Sequence, residues 1–140
     1  MRRFLPRTLE VLLALLFLYA GVSKALDPAT FARDVENYRL LSALPSGALA
    51  LYLPWLEILA GLALLLNRLR AGSLALLLAL SAAFSVALAS AWLRGLDISC
   101  GCFGSGPSPV VPALIRALVL FACLAWLLRR ELPPLSKRQP

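Results

Sequence analysis

The sequence has 140 residues, of which 61% are hydrophobic, and its mean hydropathy is +0.83. Soluble domains average roughly 45–50% apolar residues, so this composition excludes an ordinary soluble domain. The net charge of +7 does not indicate nucleic-acid binding, because the basic residues flank apolar segments, where membrane topology accounts for them.

Four apolar segments are each long enough to cross a bilayer as a helix, which takes roughly 17–25 residues. They run over about 8–26, 48–66, 71–93 and 110–128. Few residues remain outside them. We therefore predict one all-α membrane domain over residues 1–132, a four-transmembrane-helix bundle in a lipid bilayer. Residues 133–140 are predicted to be a disordered cytoplasmic tail.

The first segment has a cleaved signal peptide as its alternative, since Arg2 and Arg3 precede the apolar run. Lys24 lies beside the candidate cleavage site, where a lysine fits poorly, and the run reaches spanning length. These two features favour a retained membrane helix.

The basic residues predict the orientation. Nine of the fourteen Lys and Arg residues lie on one side of the membrane if both ends of the chain share it: Arg2, Arg3, Arg7, Arg68, Arg70, Arg129, Arg130, Lys137 and Arg138. By the positive-inside rule both termini are cytoplasmic, in a bacterial-type inner membrane. The loop with Cys100 and Cys102 then faces outward, where disulfides can form and persist.

The connection after the first span carries a helix-start signal, Asp27-Pro28, an N-cap followed by proline at the first helical position. Phe31, Val35 and Tyr38 then recur at helical spacing. The pattern predicts a short amphipathic helix on the membrane surface, with a solvated loop as the alternative. Residues 44–47, Leu-Pro-Ser-Gly, are expected to break that helix and return the chain to the membrane.

Cys100-Gly101-Cys102 lies in a loop rich in glycine and proline before the last span. A disulfide across one intervening residue is strained and therefore easily reduced, which suits thiol–disulfide exchange. The alternatives are two unreactive thiols or half of an intermolecular metal site. No metal site is predicted within the chain, because it has no histidine and two thiolates fall short of four ligands. Cys123 lies deep in the last span and is predicted to be a packing residue.

Glu57 is predicted close to the bilayer midplane, where a carboxylate is costly and marks either a functional or a paired position. Arg116 is expected to be its partner, with Lys24 near the same face. The three are predicted to converge below the thiol loop, where Lys24 and Arg116 would stabilise a thiolate and Glu57 would anchor them or move a proton. The alternative is an ion pair that only orders the helices. Glu10, near the cytoplasmic interface, is given no catalytic role.

Two aromatic residues, Trp55 and Phe103, are candidate contacts for a quinone, the one cofactor left open; an aromatic belt or core packing is the alternative. Gly21 and Gly61 are small residues that permit close helix approach.

Several of these motifs together resemble the DoxX-like membrane proteins and, among them, the methylamine-utilisation MauE branch. The matching segments, in chain order, are 20–28 (AGVSKALDP), 31–41 with its Tyr-Arg-Leu-Leu end, 54–64 (PWLEILAGLAL), 100–104 (CGCFG) and an arginine in the last span, Arg116. The resemblance implies a four-helix membrane protein that works with a thioredoxin-like partner such as MauD in disulfide handling outside the cytoplasm. The chain is also similar to the four-helix VKOR and DsbB enzymes, which pass electrons from thiols to quinone, but it lacks their Cys-x-x-Cys and second cysteine pair.

The leading hypothesis is a membrane thiol–disulfide oxidoreductase in which Cys100 and Cys102 exchange electrons with an extracytoplasmic thioredoxin-fold protein. One alternative is a non-enzymatic scaffold subunit of a redox or maturation complex. Another is a small proton-coupled exporter that uses Glu57, although such exporters have no need of a long cysteine-bearing loop.

Overall fold

The structure, a computed structural model, describes residues 4–96 and 110–132. These residues form five helices and no strand: α1 (Phe4–Leu26), α2 (Pro28–Asn37), α3 (Ala43–Leu65), α4 (Arg70–Leu93) and α5 (Val110–Glu131). All except α2 are long and apolar enough to cross a membrane. The predicted fold class is therefore confirmed, including the short helix after the first span.

The helix bounds differ from the sequence prediction mainly at α3, which begins at Ala43 instead of near residue 48. The expectation that residues 44–47 break the surface helix was wrong, because α2 already ends at Asn37 and residues 44–47 belong to α3. Pro45 and Gly47 lie within the first turns of α3. A proline is tolerated there because the first N–H groups of a helix have no intrahelical acceptor.

Helix α2 begins as its sequence predicts. The Asp27 carboxylate accepts hydrogen bonds from the Thr30 backbone N–H (3.1 Å) and the Thr30 hydroxyl (2.6 Å), and Pro28 occupies the first helical position. The bonds from Thr30 lower the pKa of Asp27 below its usual value. Phe31 is buried while Arg33 and Glu36 are exposed, so the helix is amphipathic and packs its apolar face on α3.

The long helices are antiparallel neighbours in the order α1, α3, α4, α5. Helix α1 packs mainly on α3 and α5 mainly on α4, while the contact between α1 and α5 is slight. The bundle has two ends. The α2 end comprises α2, the end of α1, the start of α3, the end of α4 and the start of α5; the Arg70 end comprises the remaining helix termini.

Two glycines bring α1 and α3 together. A Cβ placed on Gly21 would lie 2.7 Å from Ile58 Cγ1 and 2.9 Å from the Pro54 carbonyl oxygen. A Cβ on Gly61 would lie 3.1 Å from the Ala14 carbonyl oxygen. Neither position has room for a larger side chain, so the sequence prediction of close approach at both glycines is confirmed.

Candidate functional site

Lys24 and Glu57 form a buried ion pair between α1 and α3. The Lys24 Nζ donates to Glu57 Oε1 at 2.8 Å and to Oε2 at 3.1 Å. The two residues are 4% and 2% exposed. Each lies about one helical turn from a packing glycine, Lys24 three residues after Gly21 and Glu57 four residues before Gly61. The close helix approach therefore places both charges on facing surfaces.

Two aromatic rings that belong to other helices lie against the Lys24 ammonium group. The Lys24 Nζ lies 5.1 Å from the ring centroid of Phe31 in α2 and 4.7 Å from that of Phe84 in α4. Both distances are within the range of a cation–π interaction, which strengthens when the cation is desolvated. Lys24 thus contacts α2, α3 and α4 from its place on α1 and ties all four elements together.

Arg116 does not join this pair, so the prediction that it is the partner of Glu57 was wrong. It is exposed on α5, and its Nε donates to the carbonyl oxygen of Pro112 on its own helix at 3.4 Å. The reason is helix order: α5 packs on α4, whereas Glu57 faces α1. Of the three predicted charges, the fold brings together only Lys24 and Glu57.

The thiol loop begins and ends beside one apolar cluster at the α2 end. Cys100, Cys102 and Phe103 lie outside the described residues, so their predicted roles stay predictions. Before the loop, Gly95 (φ +65°) follows the end of α4, and the Leu96 N–H donates to the Ala91 carbonyl oxygen at 3.0 Å. The cluster contains Tyr38, Leu88, Ala91, Val110, Ala113 and Ala117, with Leu96 packed against it. Both ends of the loop are therefore anchored next to α2.

Tyr38 links α2 to this cluster. It is 5% exposed, and its carbonyl oxygen accepts a hydrogen bond from the Arg94 guanidinium at the end of α4. Burial, with a smaller contribution from Asp34, raises the pKa of the Tyr38 phenol to about 12. Through the bond from Arg94, α2 is tied to the segment that leads into the thiol loop.

An apolar cavity of about 160 Å³ lies beneath α2, between it and helices α3 and α4. Phe84 separates it from the Lys24 ammonium. Trp55, the predicted quinone contact, does not line this cavity and is 59% exposed on α3. The cavity is lined by Val35, Tyr38, Leu40, Leu41, Leu49, Leu53, Leu80, Ala83, Phe84 and Ala87.

Comparison with known proteins identifies the family. Residues 2–130 match the family described as "Methylamine utilisation protein MauE". The chain belongs to the MauE family. A Paracoccus denitrificans protein named "Methylamine utilization protein MauE" is 35% identical over 127 residues, which cover 89% of this chain and 68% of that relative. No solved structure matches the chain.

In this MauE-family chain, a second charged cluster at the Arg70 end was missed by sequence reasoning. Glu10 is 1% exposed and is paired with two arginines, Arg7 at 3.1 Å and Arg70. Arg70 also contacts Glu131 of α5 at 2.8 Å. Arg7 further donates to the carbonyl oxygen of Leu65 at 2.9 Å, at the end of α3. The cluster joins all four long helices.

The available sequence signal for this cluster was the spacing of Arg7 and Glu10, which lie three residues apart and so share a helix face. Cys123, by contrast, lies where the sequence predicts. It is half-buried and packs against the larger apolar cluster, which includes Leu124 and Leu127. Its place thirteen residues into α5 is roughly 20 Å along the helix from the thiol loop, at 1.5 Å per residue.

Replacing Glu10 with glutamine is expected to lower the free energy of unfolding by about 1–2 kcal/mol, because it removes two ion pairs. The cost stays modest since the side chains of Arg7 and Arg70 are 39% and 32% exposed and remain hydrated. Unfolding in mixed micelles measures it. Glu131→Gln, which removes one pair at a 27% exposed carboxylate, serves as the graded control. A larger loss for Glu131→Gln than for Glu10→Gln would contradict this account.

Proposed function

We propose that this MauE-family chain is a membrane thiol–disulfide oxidoreductase whose Cys100 and Cys102 exchange electrons with a thioredoxin-fold protein. A thiolate of one partner attacks the disulfide of the other, a mixed disulfide forms, and the second thiol of the attacking pair resolves it. Two electrons and two protons pass between the partners, so one pair becomes a disulfide as the other becomes a dithiol. Methylamine utilisation, named in the Paracoccus relative, is the process in which we place this exchange.

The observation that carries the proposal is the anchoring of both ends of the thiol loop on one cluster beside α2. Leu96 and Val110 pack near Tyr38, so the thirteen residues from 97 to 109 begin and end at the same face of the bundle. A partner that docks on this cluster would therefore lie beside both flanks of the thiol loop. This arrangement supports a docking and exchange site at the α2 end.

The Lys24–Glu57 pair acts in this proposal as a positioning element. Its cation is already neutralised by a carboxylate at 2.8 Å, so it exerts little net field beyond the pair. Its contact with Phe31 instead fixes α2, against which the loop ends pack. The same pairing argues against a proton-coupled exporter, which needs a carboxylate that is free to exchange cations.

The charge distribution supports an inner-membrane location with the α2 end facing outward. The Arg70 end carries Arg7, Arg68, Arg70, Arg129 and Arg130 among the described residues, as the positive-inside rule requires of a cytoplasmic face. The cysteine loop would then meet an extracytoplasmic partner. We also place the family near the DoxX-like proteins on the motifs around Lys24 and Glu57.

Alkylation mass spectrometry of the full chain in lipid nanodiscs tests the exchange, with thioredoxin as the probe. We expect Cys100 and Cys102 to be alkylated only after reduction and to form a trapped mixed disulfide with a thioredoxin variant that lacks its resolving cysteine. Cys123→Ser is the matched control and should change neither result. Alkylation of Cys100 and Cys102 that is independent of redox conditions would refute the proposal.

Growth separates the enzyme from a non-enzymatic scaffold. In a methylamine-using bacterium that lacks its own MauE, the Cys100→Ser/Cys102→Ser double variant is expected to abolish growth on methylamine while the variant protein still accumulates in the membrane. Full growth of the double variant would favour the scaffold. Cys123→Ser again provides the control, because it removes a thiol without touching the loop.

A further inference from the structure

Apart from Arg129 and Arg130 in the last turn of α5, Arg116 is the one exposed charged side chain of a spanning helix among the described residues, and it lies in the groove between α1 and α5. Arg116 lines it together with Leu16, Ile115, Val119 and Leu120, and the groove has a volume of about 360 Å³. Charged side chains in membrane spans almost always face the bundle interior or a partner. An exposed arginine here therefore requires a counter-charge.

No carboxylate among residues 4–96 and 110–132 pairs with Arg116. Within the described part of the chain its hydrogen bond runs from Nε to the Pro112 carbonyl oxygen at 3.4 Å and directs the side chain toward the start of α5. Arg116 lies six residues after Val110, about 9 Å along the helix from the α2 end, so a long side chain reaches the interface of the bilayer. From this position the guanidinium can reach the headgroups of a surrounding bilayer, and no carboxylate of the described residues neutralises it.

The rest of the groove is apolar and extends from Arg116 away from the α2 end, toward the middle of the bundle. Leu16 of α1 and Leu120 of α5 lie about one turn or more deeper than Arg116, toward the middle of the bundle, and only hydrocarbon side chains line that part. Because α1 and α5 contact each other only slightly, their seam leaves this space unfilled. A cationic site at the interface with an apolar channel beneath it matches the polarity of a phospholipid.

We propose that this groove binds one phospholipid, with its phosphate on Arg116 and an acyl chain between α1 and α5. The guanidinium suits a phosphodiester, which it can contact through two parallel N–H groups. Because no carboxylate of the described chain neutralises Arg116, an anionic lipid is favoured over a zwitterionic one. Lipid binding at Arg116 does not require that Cys100 and Cys102 exchange electrons.

Native mass spectrometry of the full-length, delipidated protein in detergent tests the proposal, with phosphatidylglycerol as the probe. We expect one tightly bound phosphatidylglycerol, and roughly tenfold to hundredfold weaker binding in Arg116→Gln, the loss of a charge-assisted hydrogen bond. Arg33→Gln is the matched control. Arg33 is an exposed arginine at the same end and makes the same Nε bond to a carbonyl one turn earlier, Ala29 at 3.4 Å.

Two further arms separate headgroup from chain. Diacylglycerol, which lacks the phosphate, and glycerol phosphate, which lacks the chains, should each bind far more weakly than phosphatidylglycerol. Val119→Trp, at a 56% exposed position in the groove, should block the bound lipid without disturbing the core. Equal lipid binding by Arg116→Gln, Arg33→Gln and the parent protein would overturn the proposal, as would tight binding of glycerol phosphate alone or no tightly bound lipid on the parent protein.

Discussion

Lys24→Met is expected to lower the free energy of unfolding by about 3–5 kcal/mol, the typical cost of leaving one member of a buried ion pair without its partner. Methionine keeps the length and apolar character of the lysine stem, so the loss reports the ammonium group. Glu57 is 2% exposed and cannot turn to water to recover its solvation. The contacts of the ammonium with Phe31 and Phe84 disappear as well. Denaturant titration in mixed micelles, followed by far-UV circular dichroism, measures the change.

The double variant Lys24→Met/Glu57→Leu shows whether the intact ion pair adds stability to the fold, or whether only the loss of one partner is costly. Replacing both charges with apolar groups of similar volume is often neutral or stabilising, so we expect most of the stability to return. Arg33→Met, which removes a cation from the exposed face of α2, should change stability by less than about 0.5 kcal/mol. A Lys24→Met variant as stable as the parent protein would contradict a buried ion pair between Lys24 and Glu57.

Gly21→Ala is expected to destabilise the bundle by about 1–3 kcal/mol, since overpacking forces neighbouring atoms apart. The new Cβ would meet the Pro54 carbonyl oxygen at 2.9 Å, and that backbone atom cannot move without shifting α3. Separation of α1 from α3 would also lengthen the Lys24–Glu57 contact. The loss should therefore shrink in a Lys24→Met/Glu57→Leu background, where no ion pair depends on the spacing.

Gly72→Ala provides the matched control for Gly21→Ala. Gly72 lies in the first turn of α4, and a Cβ there meets nothing within 4 Å. Alanine has the higher helix propensity, so this variant should be neutral or slightly more stable. Gly61→Ala, with a contact of 3.1 Å, should fall between the two. The reverse order of stabilities would mean that α1 and α3 are not packed through their glycines.

The spans were predictable because hydropathy over some twenty residues is a strong local signal. Asp27-Pro28 likewise predicted the start of α2 from local chemistry alone. Pro45 was misread because a proline between two apolar segments predicts a break, although it equally fits the first turn of a helix, where its missing N–H costs nothing. Local sequence patterns therefore predicted the existence of the helices more accurately than their first residues.

The partner of Glu57 was not predictable from depth, because Lys24 and Arg116 come from the same half of the bundle. What decides between them is which helices are neighbours, and depth along a span carries no information about that. The packing glycines do indicate which helices are neighbours. Gly21 and Lys24 share one face of α1, and Glu57 and Gly61 share one face of α3, so two packing faces with opposite charges match each other.

Glu10 shows a different limit. Its position near the end of a span indicated a side chain that reaches water, but it lies buried under Arg7 and Arg70. Such burial depends on α4 beginning directly after a short turn, which places Arg70 against α1. Nothing in the residues around Glu10 reports a contact sixty positions away.

Arg70 has a consequence for how the bundle closes. It follows the short turn between α3 and α4, yet it reaches Glu10 on the first helix and Glu131 on the last. Those two helices barely pack on each other. The row of helices is therefore closed at this end by one guanidinium shared between two carboxylates, whereas along its length the seam remains open to hydrocarbon. Ion pairs thus link α1 to α5 at this end, whereas α3 and α4 are held together by side-chain packing.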